Sequence, residues 1–517
     1  MATRRRGGRA PDTAAQTIPA PVGGLNDRDP IANMPGMDAI ILDNWWPEPG
    51  QLTVRKGSTL HAENLGAPVE TIVEYCPPDG NVQLLAAAGG SIYDVTFLTD
   101  DPPELTSGHT SAKWQVAQTT TPGGSFMLWL NGVDKPLLYD GTNWTQIDDT
   151  SSPAIEGVDS TRLLDAVVFK NRVYLVERDS LNLWYLPVLS IAGEADYIPL
   201  GQVFRRGGHI VTAQTWTIDA GEGADDMLVV LSSNGEVAVY KGYDPTDAST
   251  WSLVGVFYIG RPVGQRPCIK FGGDLLIICE DGVFPLSTAL MSNSVNAMVA
   301  ITDKIQNSIK QAVASQKSAF GWQICLSPGN TALILNVPRY EAPPIQYVQN
   351  TLTGAWARFS GWNALSWIDS QLGLFYGDSE GNIVRAWTGN QDQGENIRAD
   401  VLQAFSSFGS NSVEKYFTMI RPYIESSGSP AIMYELCGDF VVSEPVGELN
   451  YTPPTGMIWG SMVWGSMVWG GSKTQIYDWR TVGRVAKSGA VRMLVQNNGS
   501  EVSWSATDVK FTLGWFL

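Results

Sequence analysis

Short apolar strands alternate with tight-turn residues from about residue 66 to residue 390. An apolar run from Met227 to Leu231 is followed by a turn at Asn234-Gly235 and a second apolar run from Val237 to Tyr240. The stretch from Leu275 to Leu286 repeats this order around an Asp-Gly turn. Asn-Gly and Asp-Gly supply the positive φ angles that tight hairpin turns need. The pattern therefore predicts a series of β-hairpins with little helix.

The turn markers of these hairpins recur at a regular spacing. In chain order they are Gly90, Gly141, Ser180, Gly235, Gly282, Gly329 and Gly381. They span 291 residues, so the mean interval is about 48 residues, close to the length of one four-stranded propeller blade. Short strands at regular spacing also occur in sandwiches and barrels, but a repeat of this length favours a propeller. We predict an all-β fold with a β-propeller of six or seven blades over residues 66–390.

Two regions do not follow this regular spacing of turn residues. Residues 302–316 place Ile305, Ile309 and Val313 at helical spacing behind a possible cap at Thr302, which predicts a helix inserted in the propeller. After about residue 395 the turn markers stop. Residues 391–517 are predicted to form a separate, β-sandwich-like platform domain, with strands at 480–484, 490–495 and 502–513.

The first 22 residues contain almost no large apolar side chains, whereas residues 23–65 combine several prolines with apolar groups at 40–42 and 45–46 that must dock onto something. Residues 1–22 are predicted to be a disordered basic arm, and residues 23–65 an extended strap whose prolines forbid a long helix. The arm carries Arg4, Arg5, Arg6 and Arg9. These arginines are either part of a solvated tail or contacts to DNA or to an acidic neighbour.

A five-residue unit repeats three times between residues 457 and 472, and it presents Trp459, Trp464 and Trp469. A step of five turns a helix by about 140°, and in a strand it sends successive side chains to opposite faces, so neither element makes a tryptophan stripe. The repeat therefore packs the platform domain or contacts another subunit. We favour packing. Replacing all three with Ala is then expected to unfold the platform, whereas loss of assembly from a folded subunit would favour the contact.

Composition limits the classes of function. Charged residues make up 17% of the chain, below the ~25% of typical globular proteins, while aromatic residues reach 10% and include 19 tryptophans. A surface poor in charge is typical of a protein that assembles with others. The net charge of -18 argues against wrapping nucleic acid, although an acidic lining would let DNA slide past.

The cysteines and the N-terminal sequence bear on the cellular compartment. Five scattered cysteines without a C-x-x-C pair predict buried, reduced thiols. The start MATRRRGGRA has no apolar segment behind it, and no run of about 18 apolar residues occurs. We expect neither a secretory signal peptide nor a membrane span.

Candidate chemistry is sparse. The histidines His61, His109 and His209 lack metal-ligand spacing, and the stretch 465–474 misplaces its lysine by two residues relative to a phosphate-binding loop. Paired acids could serve a propeller glycosidase, and the candidates are Asp100, Asp101, Glu104, Asp148, Asp149, Asp225 and Asp226. Residues 244–251 partly match the Asp-box of sialidase propellers but lack its glycine. All these acids lie in loops beside turns, where Asx turns explain them. We predict no catalytic residues, no metal and no cofactor.

Several segments together resemble the tail nozzle proteins of short-tailed bacteriophages, also called tail tubular or packaged-DNA stabilisation proteins. The segment 23–58 carries the likeness in Gly24-Leu25-Asn26, Leu42-Asp43-Asn44 with Trp46-Pro47, and Arg55-Lys56-Gly57. Further similar stretches follow in the same order, at 131–144, 281–288, 302–305, 414–425, 437–440 and 478–480. The likeness covers the chain from about residue 20 to its end.

The resemblance implies a structural virion protein rather than an enzyme. Proteins of this family form a homo-hexameric nozzle below the portal and the ring of the head-to-tail adaptor protein. The nozzle closes the channel and passes double-stranded DNA without sequence-specific binding at genome ejection. The implied location is the virion tail, assembled in the host cytoplasm, with tail fibres or tailspikes as candidate partners. Two alternatives remain open, namely a glycoside hydrolase of a phage tail and a monomeric glycan-binding propeller.

Overall fold

The computed structural model describes residues 13–219, 224–291, 300–445, 474–497 and 499–513. The chain divides into two compact units. Unit 1 comprises Met1–Ser58, Val348–Gly361 and Trp387–Leu517, and unit 2 comprises Thr59–Tyr347 and Trp362–Ala386. Both consist mainly of β-strands.

Unit 2 is a β-propeller. In its described residues, six separate antiparallel sheets of three or four strands follow one another along the chain as blades 1 to 6. Blade 1 has strands Val69–Tyr75, Gln83–Ala88, Ser91–Asp94 and Glu104–Ser107, and blade 2 has Gln115–Thr121, Gly124–Leu130, Leu137–Tyr139 and Trp144–Gln146. Blade 3 has Leu163–Phe169, Arg172–Glu177, Asn182–Tyr185 and Asp196–Pro199, and blade 4 has Ile210–Asp219, Ala224–Ser232, Glu236–Gly242 and Trp251–Tyr258. Blade 5 has Cys268–Phe271, Asp274–Cys279 and Gly282–Pro285, and blade 6 has Ala364–Ser370, Gly373–Asp378 and Ile383–Ala386.

The ring closes in two ways that involve distant segments. The outer strand of blade 6 is Ser58–Ala62, so the last blade contains strands from both ends of the propeller. The hairpin of Gln323–Ser327 and Ala332–Val337 lies between blades 5 and 6 in chain order and contacts the first strand of each. The prediction of six or seven blades is thus confirmed, with six blades as separate sheets and this hairpin in a further blade position.

Alternation along the strands explains how the blades pack. In the second strand of blade 4, Leu228 and Val230 face the core shared with blade 3, and Val229 and Leu231 face the core shared with blade 5. Successive side chains of a strand point to opposite faces, and here both faces are covered by a neighbouring blade. The strand therefore reads as a continuous apolar run.

The predicted inserted helix is present. A 3-10 turn Asp303–Ile305 leads into the helix Gln306–Gln316, which buries Ile309 and Val313. Thr302 occupies the predicted N-cap position, but its hydroxyl accepts a hydrogen bond from the backbone N–H of Val283 instead of capping the turn.

A few short elements lie between the blades and between the two units in chain order. A parallel pair joins Ile155–Glu156 to Gly193–Glu194. Among the described residues, the remaining helical segments are Leu286–Met291 and the 3-10 turns Ser160–Arg162, Leu200–Gln202 and Pro328–Asn330. The strand Ile345–Asn350 runs from unit 2 into unit 1.

The described residues of unit 1 form two sheets, in agreement with the predicted β-sandwich-like domain. One sheet orders the strands Thr474–Ile476, Lys415–Ser426, Val502–Leu513, Gln51–Val54 and Trp45–Glu48, and two further strands, Thr13–Pro19 and Arg480–Ala486, pair with its centre. The other sheet in this unit orders Trp356–Phe359, Asp38–Asp43, Ile397–Gln403, Gly489–Asn497 and Ala431–Gly438, with Gly24–Leu25 beside Asp38–Asp43. Phe408 follows the second sheet and packs against Phe417 and Phe511 of the first.

The structure corrects the domain boundaries. The strap 23–65 and the platform 391–517 were expected to be separate, but strand Asp38–Asp43 pairs with Ile397–Gln403 inside unit 1. The arm 1–22 is not disordered throughout, because Thr13–Pro19 pairs with Val502–Leu513 in register from Thr13 with Thr512 to Pro19 with Ala506. Local sequence could not reveal these pairings, since their partners lie hundreds of residues away.

Candidate functional site

The contact residues predicted from the sequence fall outside the part of the chain that the structure describes. Arg4, Arg5, Arg6 and Arg9 precede residue 13, and Trp459, Trp464 and Trp469 lie between residues 445 and 474. Their roles stay predictions. The other residues that carry the resemblance can be placed.

One group of these residues forms a buried polar network in unit 1, centred on Arg55. The Arg55 side chain is 0% exposed, and it forms a two-pronged ion pair with Asp392. Its Nε donates to Asn44 Oδ1 at 2.9 Å, and it also donates to the backbone carbonyls of Lys56 and Ser360. Burial of a guanidinium is tolerated only when its donors are satisfied in this way.

Asn44 links the strap to the other strands of unit 1. It adopts a left-handed backbone conformation with φ of 58°, which asparagine tolerates better than most residues. Its amide nitrogen donates to the hydroxyl of Ser360 and to the carbonyl of Arg398, and its carbonyl oxygen accepts from the backbone of Ser360. The Asp-Asn and Arg-Lys-Gly motifs of the strap therefore meet in one place.

Two glycines of these motifs allow close backbone approach. A Cβ on Gly57 would collide with the backbone of Gln391, and a Cβ on Gly24 would lie 2.7 Å from backbone atoms of Trp356. Gly24 also has φ of 87°, a conformation that favours glycine. A side chain at either position would therefore force the strap away from its neighbours.

The paired acids are held by local hydrogen bonds. Asp148 accepts from the backbone of Thr150 and Ser151 and pairs with Lys135 at 2.6 Å, and Asp226 accepts from Thr217. Hydrogen bonds to the Lys135 ammonium and to Thr150 hold the pKa of Asp148 far below its usual range. A general acid needs the opposite shift.

The segment that partly matches an Asp-box also forms Asx turns. Asp244 accepts from the backbone and hydroxyl of Thr246, and Asp247 accepts likewise from Ser249. Trp251 then stacks on Tyr240, with ring centroids 5.3 Å apart. Asp100 and Asp101 lie in an exposed loop with Glu104 on the following strand.

Histidines and cysteines are separated in the fold. His61 packs against Phe375, and burial lowers the pKa of His61. His109 packs against Trp114, and burial lowers its pKa as well. All five cysteines are free, and burial raises the pKa of Cys325 to about 12. Among the described residues no group of three His, Cys, Asp or Glu side chains could hold a metal ion, and no helix there is long and apolar enough to cross a membrane.

The centre of the propeller holds polar groups that no pattern in the sequence indicates. Four of the first strands of blades have a register shift near their start, and each shift is followed by a polar side chain. These residues are Thr71, Asp165, Thr212 and Ser366. A bulge turns a side chain out of the regular alternation. Thr212 donates to Asp165 across neighbouring blades at 2.7 Å, and Ser366 donates to the carbonyl of Val69.

Arg266 crosses this centre from the segment before blade 5. Its Nη2 donates to the carbonyls of Glu70 and Trp114, at 3.1 and 2.9 Å, and to the hydroxyl of Thr71, at 2.8 Å. Burial lowers the pKa of Arg266 to about 10, while the nearby Glu70 and Asp165 carboxylates oppose that shift. The side chain joins blades 1 and 2 to a segment nearly 200 residues away.

A cavity of about 310 Å³ opens beside Arg266. It is lined by Lys113, Gly264, Gln265, Arg266, Lys317, Ser318, Ala319, Phe320, Gly321, Trp322, Gln323 and Leu365. The Lys113 ammonium lies 4.8 Å from the centroid of the Phe320 ring, and the Arg266 guanidinium lies 5.7 Å from it. Among the described residues, the lining thus holds three cations and no carboxylate.

The outer strand of blade 4 is an apolar edge. In the described chain Trp251–Tyr258 pairs on one side only, and Leu253, Val254 and Val256 are 42%, 48% and 38% exposed. Exposed apolar edge strands are rare in monomeric proteins, because their unpaired backbone groups recruit other strands. This edge is a candidate contact surface.

Comparisons with known proteins show likeness to propellers at low similarity. No protein-family model matches the chain, and no curated protein matches it. The β-propeller domain of Cps50 (Swd1) from Myceliophteria thermophila is 10% identical, with 64% of this chain and 99% of that chain covered and a TM-score of 0.38. The AfRom2 CNH domain is 12% identical, with 57% and 94% covered and a TM-score of 0.34. YCF48 from Cyanidioschyzon merolae is 12% identical, with 66% and 97% covered and a TM-score of 0.34. Such values carry no argument about function, and the propeller assignment rests on the strand order.

Proposed function

We propose that the chain is a structural subunit of a virion, a tail nozzle protein of a short-tailed bacteriophage. Six copies would form a ring below the portal and adaptor, close the DNA channel and conduct the genome at ejection. The observation that carries this proposal is the order of family-like motifs along the chain. Those in the strap supply the buried network around Arg55 and the close backbone approach at Gly57.

Two further observations support an assembling protein. The chain combines 17% charged residues with 19 tryptophans, and blade 4 presents the apolar edge strand Trp251–Tyr258. Subunit interfaces favour aromatic side chains and exclude charge from their centres. The net charge of -18 would keep DNA from adhering to a channel wall.

The proposal is tested by electron microscopy of the purified protein, alone and with an adaptor ring. Rings with sixfold symmetry and a mass of about 337 kDa, six times 56.1 kDa, are expected. A monodisperse monomer that stays monomeric with the adaptor would contradict the proposal. Release of oligosaccharide from host capsule by the purified protein would instead support the glycoside hydrolase.

A further inference from the structure

We propose that the cavity beside Arg266 in the propeller is a binding site for a multiply charged oxyanion, either a phosphate group or a polycarboxylate. This cavity is distinct from the apolar edge of blade 4 and from the network around Arg55. Its volume of about 310 Å³ suits a small ligand or one acidic group of a larger one.

The lining of the cavity is basic, although the chain as a whole is acidic. The chain as a whole has 52 acidic and 34 basic residues, yet the part of the cavity wall that the structure describes holds Lys113, Arg266 and Lys317 and no acid. Three cations that line one concavity create a positive potential that attracts an anion. The acids nearest to them, Glu70, Glu280 and Asp165, lie outside the wall.

Arg266 is held in a fixed orientation at the cavity wall. All three acceptors in the protein bind its Nη2, so within the described chain Nε and Nη1 have no hydrogen-bond partner. The residue lines the cavity, and the bonds to Nη2 fix its orientation. A fixed guanidinium with two free donor groups is the preferred protein partner of a phosphate or carboxylate.

The lysines are held loosely and can turn to a ligand. Lys113 lies 3.6 Å from Glu70 Oε1, and Lys317 lies 3.5 Å from Glu280 Oε1. Both separations exceed those of good charge-assisted hydrogen bonds. The lysine side chains are 39% and 57% exposed, so each can leave its carboxylate partner and contact a bound oxyanion at little cost in free energy. The Phe320 ring keeps Lys113 close to Arg266.

Calorimetric titration of the full-length protein at constant ionic strength tests the site, with inorganic phosphate, AMP and citrate as separate probes. We expect saturable binding of at least one probe and a loss of about tenfold or more in affinity for each of Lys113→Gln and Lys317→Gln. Lys310→Gln is the control, because this exposed lysine lies on helix Gln306–Gln316 outside the cavity wall. Arg266→Gln also removes the bonds to blades 1 and 2, so the two lysine variants carry the test.

The three probes separate the sources of the oxyanion. Binding of phosphate and AMP indicates a phosphate group that tolerates an ester, and binding of citrate alone indicates carboxylates. Any of these results supports the site if both lysine variants weaken it and Lys310→Gln does not. Absence of saturable binding by all three probes, or affinities that the lysine variants leave unchanged, would overturn it.

Discussion

Arg55 and Asp392 form a two-pronged ion pair inside unit 1, with Nη1 to Oδ1 at 2.9 Å and Nη2 to Oδ2 at 2.5 Å. The arginine side chain is 0% exposed and the aspartate side chain 15% exposed. The two residues are 337 positions apart, so the pair ties the strap to the segment that follows the propeller. Arginine suits this arrangement because its planar guanidinium presents two parallel N–H donors that match the two oxygens of a carboxylate.

Asp392→Asn is expected to lower the free energy of unfolding of unit 1 by about 3–5 kcal/mol, because it leaves the buried Arg55 charge without its counterion. Urea unfolding followed by tryptophan fluorescence measures the change. Glu501→Gln is the control, since Glu501 lies 3.9 Å from Lys56 and the two side chains are 37% and 40% exposed. Its loss should cost only about 0–1 kcal/mol. Equal effects of the two variants would contradict the structural role of Arg55.

Gly57→Ala is expected to lower the free energy of unfolding of unit 1 by roughly 1–3 kcal/mol, because a Cβ there would collide with the backbone of Gln391. A backbone cannot relieve such a clash by changing rotamer, as a side chain could. Gly36→Ala is the matched control in the same unit, since a Cβ there has no atom within 4 Å. Thermal unfolding of both variants gives the comparison. A Gly57→Ala protein as stable as Gly36→Ala would show that the strap lies elsewhere.

The stability of the propeller should depend on pH through Asp165. Burial raises the pKa of Asp165 from 3.8 to about 6, and hydrogen bonds from Thr212 and Ala166 oppose that rise. Between these two pH values the folded state keeps a proton that the unfolded state has lost. The free energy of unfolding therefore falls as pH rises through this window, by about 3 kcal/mol in total, and levels off above it.

Asp165→Asn should remove this fall. Urea unfolding at intervals from pH 4 to pH 7 compares the variant with the natural chain, and the difference between their free energies of unfolding should change with pH only below about pH 6. Parallel curves would show that Asp165 has the same pKa in both states. Asp148→Asn is a useful contrast, because the lowered pKa of Asp148 predicts stability that is lost only as the solution becomes more acidic.

The blades could be predicted from sequence because their signals are local. A run such as Leu228 to Leu231 between turn residues indicates a buried strand before its neighbours are known. The role of Arg266 could not be predicted in this way. Its acceptors at Glu70, Thr71 and Trp114 become neighbours only when the ring closes. The place of the strap in unit 1 was missed for the same reason, since the strand pairs at Asp43 and Asp400 are far apart in sequence.

The apolar edge of blade 4 gives the sharpest test of the proposed ring. The double variant Val254→Lys and Val256→Lys places charges on an edge strand, which is how monomeric proteins prevent strands from pairing between molecules. Both side chains are exposed, so the free energy of unfolding should change by no more than about 0.5 kcal/mol. If this edge is a subunit contact, the variant stays folded but light scattering reports single subunits in place of rings. Leu98→Lys is the control, because Leu98 is 75% exposed in a loop of blade 1 and carries no strand edge. Rings that form equally well from both variants would move the subunit contact away from blade 4.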